Sequence, residues 1–507
     1  MSGQNISRGT SKIIEKVMAD ASPVSIQRLI ENSEKGLAKI EMSSPLILET
    51  QKAIEEAIKR QDGRNVGANL LLLVFDMLLA EHEVTYDLSA SLDVLLKAKD
   101  DYTKRYNMQS LNLCFCEACL LFVGEDGDED GLLSRLVRLT KELQQAGYEY
   151  IARHIIEDIE NFKEEYVDGE LRNITRHYDD PIKMYEKQKG LDNIDFFAKG
   201  ASKLMAICME VTVVSSSLLS LLMPNKSEFK KLEEQSRCGL DFKGMLNDAI
   251  FKALREKNLK EEVQRTLNKA QTVLDECYRL YENGLKAVKL LEERDCQIPD
   301  EFNKMESLMR LRMETLFLRY DVACSIWGYL NAASDKERSQ NLRLIHMTKQ
   351  AALTHIYGYN DRKRDKSLWA KIVAIEETCD ERLNTDEVEK VLKDLTSNVQ
   401  EDRSNSNMFA HYRYKQDFYI PARLEAFGKM QHHTELKEAM KLLNVCKSLE
   451  AYTVYLLRCI NERQKKERER QYDEWMAKID GLMSKAGHNL QVAEALKPLR
   501  ELIGMVY

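Results

Sequence analysis

LRNITRHYDDPIKMYEKQ, Leu171 to Gln188, has a counterpart in the second half of the chain, SNMFAHYRYKQDFYIPAR, from Ser406. His177-Tyr178 falls on His411-Tyr412. The same offset carries Asn107 onto Asn341, Ala118 onto Ala352 and Gly124 onto Gly358, and an offset one longer carries Leu133 onto Leu368 and Val137 onto Ile372. Upstream, Lys35-Gly36-Leu37 resembles Asn283-Gly284-Leu285 at a longer offset, as an insertion requires. A nearly constant offset over about seventy residues marks an internal repeat. The chain is therefore expected to hold two diverged tandem units. Residues 1–224 form the first, 225–259 a charged connection, with the boundary in Pro224–Leu246, and 260–507 the second with a helical extension.

Working outward from the repeat, apolar residues recur with helical period almost everywhere. The pattern predicts helices over Pro45–Arg60, Ala68–Glu81, Leu88–Tyr106, Gln109–Phe122, Gly131–Ala146 and Glu149–Val167, then one containing Ser202–Met223. In the second half it predicts Lys260–Glu293, Asp300–Ala332, Lys336–Ile356, Lys366–Arg382, Thr385–Asn398, Thr434–Arg463, Arg463–Lys478 and a last helix from Leu490. No alternating run is long enough to predict a strand. The 507 residues include only 7 prolines and 21 glycines, the two residues that interrupt helices. With 44% hydrophobic residues there is ample material for cores. The expected fold class is all-α: two helical bundles in tandem.

A formal net charge of −8 and a pI near 5.8 argue against a general nucleic-acid coat protein, and leave room for an enzyme with a local basic site. The 11 cysteines are odd in number and mostly lie in apolar helical patterns, such as Cys208, Cys324 and Cys446, as free thiols of a reducing compartment do. The polar start MSGQNISRGTSK lacks the apolar stretch of a signal peptide. A cytoplasmic protein is expected. Ser202–Met223 is long enough to span a bilayer, with one internal acid, Glu210. Its counterpart, from Thr434 to Cys459, is amphipathic and charged, so a buried core helix is expected instead, and no membrane.

The candidate chemistry lies in Arg172-Asn173-Ile174-Thr175-Arg176-His177, ahead of the helix stop Asp179-Asp180-Pro181. Asn173 and His177, four apart, share a helix face, and the long Arg172 side chain reaches the same region. Arg172 and His177 are five apart and do not stack on an ideal helix, so fraying before Pro181 is needed to bring them together. Cleavage of RNA without a metal calls for these residue types. An imidazole moves the proton of the attacking 2′-hydroxyl. A guanidinium holds the phosphate oxygens as charge builds. An amide orients the imidazole or bonds the phosphate.

The motif, its place at a helix end and the helical context resemble the HEPN (higher eukaryote and prokaryote nucleotide-binding) superfamily, whose ribonucleases carry Arg, a polar residue, three more residues and His. The resemblance covers the motif and its setting, not the whole chain. It implies a metal-independent endoribonuclease, often of defence or toxin systems, with two units pairing around the cleft. Arg172 and His177 would be catalytic and Asn173 supporting. The second copy departs from the pattern: Asn407 and His411 remain, but Ser406 stands at the Arg position, and Arg403 and Arg413 have the wrong spacing. The implied partners are RNA and a second copy or another protein; DNA, a cofactor and a metal are not expected.

Other signals are weaker. Asp126–Gly131 imitates the start of a calcium loop, but its twelfth position is Val137 where a Glu is needed. Cys114, Cys116 and Cys119 spread round a helix, as core thiols do, with no His beside them. Arg463–Arg470 mixes both signs, as a solvated helix does. Tyr357–Asn360 with Ser367–Trp369 suits packing at a helix turn better than base stacking. No Walker loop, Rossmann glycine pattern, HExxH or GxSxG occurs. Beside the ribonuclease stand two alternatives: a non-enzymatic helical scaffold, and an inactive HEPN-like regulator that binds protein or RNA.

Overall fold

The computed structural model describes residues 66–125, 130–176, 178, 180–222, 259–293, 300–332, 335–358, 364–376, 385–397, 409, 413–414, 417–418, 426 and 430–486. The expected helices at Pro45–Arg60 and from Leu490, the connection Pro224–Leu246 and most of the acidic loop lie outside these residues.

The fold is all-α. Its first half comprises α1 (Val66–Lys97), α2 (Asp101–Phe122), α3 (Leu132–Glu142), α4 (Ala146–Tyr166), α5 (Gly169–Arg176), α6 (Pro181–Lys189) and α7 (Ile194–Leu222). After helical residues 259–267 come α8 (Ala270–Glu292), α9 (Asp300–Asn331), α10 (Asp335–Ile356), α11 (Leu368–Glu376) and α12 (Asp386–Leu395). A two-residue antiparallel pair, β1 (Arg413–Tyr414) with β2 (Asp417–Phe418), precedes the 55-residue α13 (His432–Ala486).

Several boundaries differ from the expected ones. The gap expected between Glu81 and Leu88 is helical, and α1 runs on to Lys97. The chain breaks instead at Asp100, whose carboxylate accepts the backbone N–H of Thr103 and starts α2. The helix expected over Lys260–Glu293 is interrupted by a turn at 268–269, and the two expected at Thr434–Arg463 and Arg463–Lys478 form one, α13. The candidate motif lies on a separate short helix, α5, and Asp180 caps the next, α6, through Lys183 N–H with Pro181 in its first turn.

The two halves keep one register. α1 and α9 end at the offset that carries His177 onto His411, Lys97 onto Asn331, and α2 and α10 end at the same offset, Phe122 onto Ile356. Gly124 and Gly358 end α2 and α10 with φ of 98° and 74°, the left-handed conformation that favours glycine after a helix. Asn107 and Asn341 each donate to the carbonyl four residues back, Thr103 and Glu337. Val94 and Gly328, equivalent at the same offset, face each other across the join: a Cβ on Gly328 would stand 3.8 Å from Val94 Cγ1.

One core gathers α1–α4 and α7 around Phe115, Phe122, Phe162 and Cys208. The other gathers α8–α13 around Phe317, Trp327 and Leu449, and draws in Tyr102, Tyr178, Met184 and Tyr185 from the first half. α7 packs Phe197, Leu204, Cys208, Val211 and Leu218 inward. Its other face leaves Met209, Val213 and Leu221 exposed, so it is a half-buried helix and not the fully covered one expected. It is also the one helix, among the described residues, long and apolar enough to cross a membrane.

Candidate functional site

α5 presents the candidate motif, and four attachments hold this two-turn helix in place. Asp168 caps it by accepting Leu171 N–H at 2.9 Å. Asn112 of α2 clamps the Asp168 backbone from both sides, donating to its carbonyl at 2.8 Å and accepting its N–H at 2.9 Å. Glu170 bridges to Lys183 and Lys187 of α6, each at 2.5 Å, and these ammonium groups hold its carboxyl down at about 2. The fourth attachment is Arg172 itself. Its Nε and Nη2 donate to one oxygen of Glu117 at 3.2 and 2.8 Å.

Glu117 is buried at 5% side-chain exposure while Arg172 remains 29% exposed, so a carboxylate beneath the surface aims a guanidinium at its edge. Asn173 is exposed beside it. His177 lies outside the described residues, as do Asn407 and His411. Glu117 and Asn112 were missed in the sequence. The repeat carries a signal for Glu117: where the Arg position becomes Ser406, the Glu117 position becomes Ala351. Both members of the pair are absent from the second half.

Tyr178 follows the motif and turns inward. Its hydroxyl donates to Asp321 Oδ2 at 2.8 Å, while Tyr102 donates to Oδ1 at 2.7 Å. Its ring lies 5.5 Å from that of His355, whose Nε2 pairs with Glu314 at 3.1 Å. Burial pushes the Asp321 carboxyl up to about 7, against the pull of its two tyrosine hydrogen bonds, and burial beside Asp321 raises both tyrosines. Tyr178, the residue after the motif, is therefore anchored in the core of the other half.

The second half builds something different at the corresponding place. His346 and Lys349 stand where the first half has Asn112 and Phe115. Both reach Glu435 of α13, at 3.2 and 2.8 Å, and Lys349 also reaches Glu438 at 2.6 Å. His346 and Lys349 hold the Glu435 carboxyl at about 2 despite its burial. Phe409 packs edge-on against the His346 ring.

Two of the weaker sequence signals are seen as packing. Cys114, Cys116 and Cys119 are buried free thiols, and no group of three potential metal ligands converges among the described residues. Tyr357 is buried, its ring under Arg364 at 4.7 Å and its hydroxyl donating to Glu389 at 3.3 Å. Family models, curated proteins and solved structures provide no match to the chain.

Proposed function

We propose that the chain is a metal-independent endoribonuclease of HEPN type, built from two diverged copies of one helical unit. The observation that carries this reading is the Arg172–Glu117 pair: a guanidinium fixed at the protein's edge, one residue from exposed Asn173 and five before His177 in the sequence. An arginine oriented beforehand loses little freedom when it takes up a phosphate. In the reaction, the 2′-oxygen of RNA bonds to the adjacent phosphorus and gives its proton to His177. The bond from phosphorus to the 5′-oxygen breaks, and that oxygen takes a proton from the imidazolium or from water. The products are a 2′,3′-cyclic phosphate and a 5′-hydroxyl. Arg172 offsets the charge on the phosphoryl oxygens, and Asn173 supports the imidazole or the phosphate. His411 and Asn407 are secondary, because Ser406 supplies no cation. RNA is the partner, and a second copy of the chain can complete the cleft.

A second reading is favoured by the same pair. Glu117 already neutralises Arg172, and Tyr178 is anchored in the core, as in a helical scaffold or a catalytically silent regulator.

The test is incubation of the purified full chain with single-stranded RNA in EDTA. Cleavage leaving a cyclic phosphate or 3′-phosphate is expected, and it should fall about 10²–10⁴-fold in His177→Ala. Arg172→Ala should cost a comparable factor, with Lys a poor replacement because it lacks the planar fork. Cleavage that survives changing both residues overturns the proposal, loss on adding EDTA redirects it to a metal nuclease, and intact RNA with folded protein favours the scaffold.

A further inference from the structure

The second half contains a groove of about 590 Å³ between helical residues 259–267, the start of α8, α9 and α13, away from α5. It lies within the range of small-molecule sites, roughly 300–1,000 Å³. Three cations line it: Arg265, Lys269 and Arg319. Two acids line it as well, and each is held by a cation, Glu450 by Arg319 and Glu262 by Lys447 at 2.5 Å. Arg265 and Lys269 have no carboxylate partner among the described residues; Arg265 donates only to the Glu261 carbonyl four residues back. Counting Lys447, the groove carries an excess of two positive charges in a chain whose net charge is −8.

The fold does not require an arginine at position 319. At the repeat offset, Arg319 of α9 corresponds to Thr85 of α1, so a helix in this position packs without it. Arg319 also carries an unmet cost. Its Nε is buried with no hydrogen-bond partner among the described residues. A buried donor left unpaired in a native fold calls for an explanation, and a ligand held in the groove is one. Tyr320, the residue equivalent to Tyr86, and Val273 add a less polar wall.

We infer that this groove binds a small organic phosphomonoester. Its phosphate, with about two negative charges near neutral pH, matches the excess charge and takes hydrogen bonds from Arg265 and Lys269. Its carbon portion lies against Val273 and Tyr320. The site is separate from α5, and its occupancy is independent of whether the chain cleaves RNA.

The test is calorimetric titration of the full chain with phenyl phosphate at fixed ionic strength, with inorganic phosphate and phenol as the two partial probes. One-to-one binding of phenyl phosphate is expected, with inorganic phosphate weaker and phenol silent. Arg265→Ala with Lys269→Ala should weaken it by about tenfold or more, since each loses a charge-assisted hydrogen bond. Both side chains lie at the groove's open side, so the variant should keep its helical circular dichroism. Glu262→Gln removes a negative charge from the rim and should tighten binding severalfold, a gain that damage to the fold cannot produce. No heat beyond dilution, or equal affinity in the wild type and the double variant, overturns the inference.

Discussion

Asp87 and Asp321 occupy the same position of α1 and α9 at the repeat offset, and both are buried, yet they are stabilised in opposite ways. Asp87 is bridged across the join by Arg343 of α10 at 2.6 Å, with side-chain exposures of 2% and 5%. The residue equivalent to Arg343 in the first half is Gln109, so no guanidinium returns the bridge to Asp321. Two tyrosine hydroxyls meet Asp321 instead, and its carboxyl is pushed up to about 7. One framework position has thus become an ion pair on one side and a proton-holding hydrogen-bond hub on the other. The same helix position buries a polar group in both halves, while the surrounding side chains decide its charge.

The largest expected effect tests the ion-paired side. Arg343→Met takes the guanidinium from a buried carboxylate and should cost about 3–5 kcal/mol in urea unfolding, while combining it with Asp87→Leu should recover most of the loss. A cost below about 1 kcal/mol would mean that Asp87 does not depend on that charge.

Next comes the Asp321 side. The folded state holds this proton up to about 7, whereas an unfolded aspartate releases it near its usual 3.8. Between those values the folded chain binds more protons, so stability falls as pH rises through the window and levels off above it. The total is a few kcal/mol at most, at about 1.4 per pH unit. Asp321→Asn should flatten this part of the stability-versus-pH curve, and an unchanged slope would assign it to other groups.

A smaller effect probes the meeting of the halves. Gly328→Ala places a Cβ 2.5 Å from Asn341 Oδ1, beside Val94, and should cost about 1–3 kcal/mol by thermal unfolding. A neutral outcome would show that the join is loosely packed there. The smallest concerns the candidate site: Arg172→Met should cost about 1 kcal/mol, because the guanidinium is partly exposed and water can replace it beside Glu117. That small structural cost, set against the large expected loss of cleavage, separates the ribonuclease from the scaffold.

Much of the helical content was legible because helix formation is local: period, few glycines and prolines, and the expected helix stop at Asp179–Pro181 are readable over a few turns. The boundary missed within α1 shows the limit. Glu81, Glu83 and Asp87 make that stretch resemble a polar turn, yet all three are buried among packed helices. The candidate site was half legible. Arg172 and Asn173 stand on one helix as the motif implies, but Glu117 lies 55 positions earlier, a separation no local pattern connects.

By itself the sequence determined that this is a helical protein, because side-chain period and chain punctuation act over neighbouring turns. Only the tertiary structure decided that Arg172 is paired with Glu117, that Asp87 is bridged by Arg343, and that Asp321 is capped by Tyr102 and Tyr178. Those outcomes depend on which distant side chains are brought within about 3 Å of one another and away from water, and burial is what turns such meetings into shifted protons and fixed charges.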